Sequence, residues 1–139
     1  MTIKNLCVVQ ARVGSTRLPG KVLMRLGGKS VLERVLARAV AARSVSETAV
    51  ITGIGRENLP IVKLCAVGGI RVFCGSEDDV LDRFYQFSRL IRPVNIVRIT
   101  ADCPLLDPSV IDLVVNAHAR SGADYTTNTL PPTFPDGED

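Results

Sequence analysis

Short apolar runs alternate with amphipathic stripes along this chain, and that alternation limits its possible folds more than any other feature. Residues 3–9 form a nearly continuous apolar run, as expected of a strand buried on both faces. Ser30 and Glu33 make a capping box, in which each side chain accepts from the other residue's free backbone N–H. The helix this opens has Val31, Leu32, Val35, Leu36, Ala39 and Val40 on its apolar side. Residues 49–52 read as the next strand, 60–67 as a helix with Pro60 in its first turn, and 70–73 as a third strand. Ser76 is expected to cap a helix with Glu77, Asp78 and Asp79 in its first turn. Its predicted buried face is Val80, Leu81, Phe84, Phe87, Leu90 and Ile91. Residues 95–100 give a further strand, Asp107 before Pro108 opens a helix to Arg120, and a last strand is predicted at 124–126. Strands alternating with helices of this length imply βαβ crossovers, hence an α/β fold with a mostly parallel sheet and helices on both faces.

A length of 139 residues without internal repeat or linker fits one domain. The hydrophobic fraction of 46% and charged fraction of 22% exclude a disordered chain. No apolar run nears the roughly 20 residues of a membrane span. The first residues lack the apolar stretch of a secretory signal, so a cytoplasmic protein is expected. Cys7, Cys65, Cys74 and Cys103 form no CxxC pair and His118 is alone, which argues for structural thiols over a zinc site. His118 reads as a surface residue. No Ser-His-Asp arrangement is visible.

Charge is unevenly spread. Residues 1–43 carry nine Lys or Arg against one acid, net +8, while the other 96 residues carry eight against thirteen, net −5. A basic first third points to an anionic ligand near the N-terminal elements. Arg34, Arg38 and Arg43 fall opposite the apolar stripe and read instead as a solvated helix face. The basic loop is short and has no aromatic stacking platform, which argues against nucleic acid.

In parallel α/β sheets, ligands bind beyond the carboxyl ends of the strands. The loop at residues 10–21, after the first strand, supplies the cations Arg12, Arg17 and Lys21, the hydroxyls of Ser15 and Thr16, and two glycines, Gly14 and Gly20. Glycines allow close backbone approach, and Arg offers a fork for phosphate oxygens. A Walker A loop fails on spacing: five residues separate Gly14 from Gly20, and Val22 stands where Ser or Thr would hold magnesium. The second loop, residues 99–107, places Asp102 just past an apolar strand with Pro104 behind it. Such a carboxylate suits a divalent cation shared with phosphate, and equally suits a plain turn cap.

Together these motifs resemble the sugar cytidylyltransferases: the CMP-Kdo and CMP-acylneuraminate synthetases and the spore-coat polysaccharide biosynthesis proteins. The resemblance rests on Val9-Gln10-Ala11-Arg12 with Gly14-Ser15-Thr16-Arg17-Leu18-Pro19-Gly20-Lys21. Gly75-Ser76-Glu77-Asp78-Asp79-Val80-Leu81-Asp82-Arg83 and Arg98-Ile99-Thr100-Ala101-Asp102-Cys103-Pro104-Leu105 extend it toward the spore-coat group, and it runs over essentially the whole chain. It implies a Rossmann-like, three-layer αβα nucleotidyltransferase of the glycosyltransferase-A type, truncated at its C-terminal end. It also implies CTP as substrate, with a sugar or sugar acid as acceptor and a homodimer in the full-length family. By the same resemblance Arg12 and Lys21 act on the phosphates, with Gly14, Ser15 and Arg17 completing their cradle. The Ala11 backbone would lie near the base, Gly75 and Ser76 near the cytidine, and Asp102 on Mg²⁺.

Related enzymes continue into a segment bearing a second metal carboxylate. Asp136, Glu138 and Asp139 are not assigned to that role. Two other readings stay open on the same fold: a catalytically incomplete nucleotide or nucleotide-sugar binding protein, and a general anion-binding protein.

Overall fold

The computed structural model describes residues 1–138, and Asp139 lies outside them. Four parallel strands form the sheet: β1 (Asn5–Gln10), β4 (Glu47–Gly53), β5 (Arg71–Gly75) and β6 (Asn95–Thr100), in the spatial order β5-β4-β1-β6. Among the described residues four α-helices accompany them: α1 (Val31–Ala41), α2 (Leu59–Val67), α3 (Val80–Ile91) and α4 (Pro108–Ser121). The sequence-predicted alternation is therefore the architecture.

The residues of β1 divide between the two faces of the sheet. Cys7 and Val9 pack with Leu32, Val35, Leu36 and Ala39 of α1, Ile61 and Cys65 of α2, and Ile111 and Val115 of α4. Leu6 and Val8 pack with Ala49, Ile51 and Phe87, so α3 alone covers the second face. β1 is buried along almost its whole length for this reason.

Local signals place most boundaries. The capping box at α1 is complete, with Ser30 Oγ accepting from Glu33 N and Glu33 Oε2 from Ser30 N. Before α1, strands β2 (Arg25–Leu26) and β3 (Lys29–Ser30) make a small hairpin around Gly27 and Gly28. Both glycines have positive φ (59° and 86°), the geometry that two-residue hairpin turns demand. Arg34 is not a free surface cation: its guanidinium donates to the carbonyls of Leu26 and Gly27 and ties that hairpin to α1. Asp107 caps α4 by accepting from Ser109 N at 2.8 Å, and Gly122 ends the helix with φ 66°.

Three expectations need correction. Residues 124–126 form no strand, and an isolated bridge joins Thr129 and Pro132 nearby. Helix α3 begins at Val80, later than the sequence suggested. Asp79 is its cap, while Ser76 Oγ caps the turn before it by accepting from Asp79 N. The buried face of α3 also differs: Phe87 is buried with Val80, Phe84 and Ile91 flanking it, but Leu81 and Leu90 are exposed and Arg83 is buried. Positions 80, 83, 84, 87 and 91 lie on one helical stripe, and a reading by apolarity alone passes over the arginine within it.

Candidate functional site

The chain adds β4 and then β5 on one side of β1, and returns through α3 to place β6 on the other side. That reversal makes the carboxyl ends of β1 and β6 neighbours, the position where open parallel sheets hold their ligands. Both chemistry-bearing loops leave the sheet there. Gln10 is paired with Thr100, and the backbone N–H of Ala101 donates to the Gln10 carbonyl at 3.0 Å.

The 10–21 loop closes on itself. Gly20 N donates to the Val13 carbonyl at 2.9 Å, and Gly20 takes the left-handed conformation at φ 70° before a 3-10 turn over Lys21–Leu23. Ser15 Oγ accepts from Leu18 N at 3.4 Å. Ala11 is buried, Arg12, Gly14 and Arg17 are exposed, and Ser15 and Lys21 are half-buried. Lys21 Nζ donates to Asp102 Oδ2 at 2.7 Å, across 81 residues of sequence. The structure thus joins the cationic loop to the β6 carboxylate. The Lys21 hydrogen bond holds the Asp102 carboxyl below its usual range, assisted by Thr100 and opposed by partial burial, so the group is ionised at neutral pH.

A second layer, which sequence reasoning missed, supports the loop. Asn58 is 1% exposed, and its Oδ1 accepts from Val13 N at 3.0 Å. Its Nδ2 donates to Glu77 Oε2 at 3.2 Å, and Glu77 Oε2 also accepts from Gly55 N at 3.0 Å. Asn58 therefore links the 10–21 loop to the ends of β4 and β5. It stands just before Leu59-Pro60 at the start of α2, and its side chain makes no cap hydrogen bond to that helix. Gly75 and Ser76 sit at the end of β5, the sheet edge opposite β6, so the predicted site residues extend along the carboxyl side of the sheet.

Among the described residues, no group of three or more His, Cys, Asp or Glu side chains could enclose a metal ion. Asp102 is a lone carboxylate, which fits a magnesium ion shared with phosphate oxygens and water but not an all-protein cage. Cys7 and Cys65 are buried, and burial pushes their thiols up to about 12 and about 11, as inert structural cysteines require. His118 is half-buried, its Nδ1 2.9 Å from Thr126 Oγ1, and lies on α4 away from this edge. A groove of about 870 Å³ runs beside β6, lined by Ile96, Arg98, Val114, His118 and Tyr125 among others, and meets the 99–107 loop at Ile99, Thr100 and Leu106. No helix among the described residues is long and apolar enough to cross a membrane.

A parallel α/β domain with a cationic loop and an ionised carboxylate at its strand switch point defines an anion-binding class. Comparison with known proteins makes the class specific. The cytidylyltransferase family model matches residues 6–138, and the chain belongs to that family. The spore coat polysaccharide biosynthesis protein SpsF of Bacillus subtilis is 40% identical, over 87% of this chain and 52% of its own length. A 3-deoxy-manno-octulosonate cytidylyltransferase of Anaeromyxobacter dehalogenans is 36% identical, over 89% of this chain and 50% of its own. A solved cytidylyltransferase structure from Leptospira borgpetersenii superposes with a TM-score of 0.80 at 31% identity, covering 86% of this chain and 51% of that one. The chain spans about half the length of the relatives it matches.

Proposed function

We propose that this chain carries the nucleotide-binding half of a CTP-dependent nucleotidyltransferase, which makes a CMP-activated sugar or sugar acid for surface polysaccharide and releases pyrophosphate. The observation that carries the reading is the 2.7 Å contact between Lys21 and Asp102, which brings a phosphate-type cation and a metal-type carboxylate together at the switch point. The family match and the relatives named for polysaccharide and sugar-acid chemistry support it. A cytoplasmic location follows from the reading, because CTP is a cytoplasmic metabolite.

In the reaction a sugar hydroxyl attacks the α-phosphorus of CTP. The new O–P bond forms as the bond to the bridging oxygen breaks, the hydroxyl proton is lost, and pyrophosphate leaves. No covalent protein intermediate is needed, so the residues position and neutralise. Arg12 and Arg17 present exposed guanidinium forks to the phosphates, and the loop N–H groups around Gly14 and Ser15 approach them closely. Lys21 is positioned for the charge that develops on departing pyrophosphate. Asp102 would hold Mg²⁺ jointly with phosphate oxygens, and the ion when bound neutralises charge at the reacting phosphoryl group. Lys21 and Asp102 pair with each other here, and a metal–triphosphate complex offers each a partner of the same sign as the one it gives up.

Pyrophosphate release from CTP and Mg²⁺ in the presence of candidate sugar acids tests the proposal. Lys21→Ala should keep the fold and lose on the order of 10²-fold or more in turnover. Near-normal turnover in that variant removes Lys21 from the mechanism. The alternative reading is a nucleotide or nucleotide-sugar binding protein without transfer activity. CTP binding without pyrophosphate release from any acceptor selects it.

A further inference from the structure

Strand β6 is an edge. Among the described residues it pairs with β1 alone. Asn95 N donates to the Lys4 carbonyl and Ala101 N to the Gln10 carbonyl, so the odd-numbered residues of β6 turn their backbone groups toward β1. Ile96, Arg98 and Thr100 turn theirs to the open side, a row of donors and acceptors fit to pair with a further strand. Ile99 is the one buried residue of β6, whereas β1, with a neighbour on each side, is buried from Asn5 to Val9.

The groove of about 870 Å³ follows that edge. It is lined by all six residues of β6, by Val110, Val114 and Val115 of α4, and by residues 124–129. A space with a strand edge along it and a second chain segment beside it suits one extended chain better than a globular surface. The same occupant explains residues 124–126, which the sequence predicts as a strand and which join neither sheet. A strand in the groove is the pairing partner they lack.

The lining sets the chemistry of the occupant. Ile99 and Val97 face the core that α4 helps to close, so occupant residues on that face are apolar. On the other face Ile96 and Arg98 are exposed. Arg98 Nε donates to Gln10 Oε1 at 3.2 Å, and no carboxylate pairs with Arg98 among the described residues, so an acid on the occupant opposite Arg98 is favourable. This chain has no suitable strand to donate: its strands are already in sheets, and residues 127–138 carry Pro131, Pro132 and Pro135. SpsF and the Leptospira cytidylyltransferase are each about half covered by this chain, so as many residues again are available there. We propose that the groove is a docking site for one β-strand of a second polypeptide, the half of a cytidylyltransferase that lies outside the match to this chain, added to β6 in trans. β6 ends at Thr100, two residues before Asp102, so the added strand also walls the site where the 99–107 loop leaves the sheet. The inference goes beyond the nucleotide reading and does not depend on it.

The test is co-expression of this chain with the half of Bacillus subtilis SpsF outside the match, read by the mass of the complex and by amide hydrogen exchange. A one-to-one complex is expected, in which the amides of Ile96, Arg98, Thr100 and residues 124–126 exchange at least roughly 10-fold more slowly than in the chain alone. Arg98→Pro removes one outward N–H and no bond to β1, so the chain alone should melt within a few degrees of wild type while the complex is lost. Arg98→Ala keeps that N–H and should weaken the complex by about 5-fold or less. Ile96→Lys, a surface change on the same edge, should also weaken the complex and serves if Arg98→Pro does not fold. No complex, a complex in which those amides exchange as fast as before, or a complex that survives both Arg98→Pro and Ile96→Lys overturns the inference. A concentration-dependent dimer of the chain alone that protects the same amides overturns it in favour of a second copy. None of these outcomes depends on whether the chain binds CTP.

Discussion

On the sheet face covered by α1, α2 and α4, the residues Leu32, Val35, Ala39, Ile61 and Cys65 are all fully buried. On the face covered by α3 alone, Phe87 is the one fully buried apolar residue the helix contributes, and Leu81 and Leu90 are 79% and 69% exposed. At β6 the same contrast appears along one strand: Ile99, facing the first core, is buried, while Ile96 and Arg98, facing the α3 side, are exposed. One face is thus a close-packed core and the other a partial cover that carries Arg83, buried with no hydrogen-bond partner for its guanidinium among the described residues. Stability resides in the first, and the second is where the fold tolerates a feature that costs stability.

Substitutions on the two faces sharpen that contrast. Leu32→Ala on α1 should destabilise by about 2–5 kcal/mol in denaturant titration, since a fully enclosed side chain leaves a cavity. Leu90→Ala on α3 should stay within about 0.5 kcal/mol. Comparable losses at both positions would break the comparison.

A smaller effect is expected behind the loop. Asn58→Ala leaves Val13 N without its acceptor, removes one of the donors to Glu77 and should cost about 1–3 kcal/mol. Because Asn58 acts through the loop, it should also weaken pyrophosphate binding, which Leu32→Ala at matched stability should not. Equal pyrophosphate affinity in the two variants would make Asn58 a purely structural residue.

The smallest effect belongs to the ion pair at the site. Asp102 has a lowered carboxyl pKa, so its pairing with Lys21 stabilises the fold above the ordinary carboxylate value of 3.8 and is lost as pH falls through the lower folded value. Both side chains are over a third exposed, which limits the contribution to about 1 kcal/mol or less. The stability gap between wild type and Asp102→Asn should close in acid melts. A gap that persists fully at pH 2 contradicts the pairing.

Much of the fold was legible because its signals are local. The β1 run, the Ser30–Glu33 box and the Asp107-Pro108 helix start each need only a few adjacent residues, and each appears where the sequence placed it. The expected strand at 124–126 fails because three residues, Asp124-Tyr125-Thr126, say nothing about a pairing partner, and they join neither sheet. Within the site, the loop cations and Asp102 were readable from strand-end position. That Lys21 and Asp102 meet was not readable from periodicity, since the contact depends on β1 and β6 being neighbours. Asn58 acts across 45 residues on Val13 and 19 on Glu77; Glu77 reads in sequence as a first-turn helix acid, and no local signal marks Asn58. Arg83 was passed over because a charged residue on a helix is read as solvated until its face is known.

The central claim is that the 10–21 loop and Asp102 together hold a metal–nucleoside triphosphate. Calorimetric titration of CTP into wild type and Asp102→Asn, each with and without Mg²⁺, tests it most directly. The account predicts CTP binding to wild type that strengthens with Mg²⁺, and loss of that Mg²⁺ dependence in Asp102→Asn. CTP binding that is indifferent both to Mg²⁺ and to Asp102, or no binding at all, would contradict it.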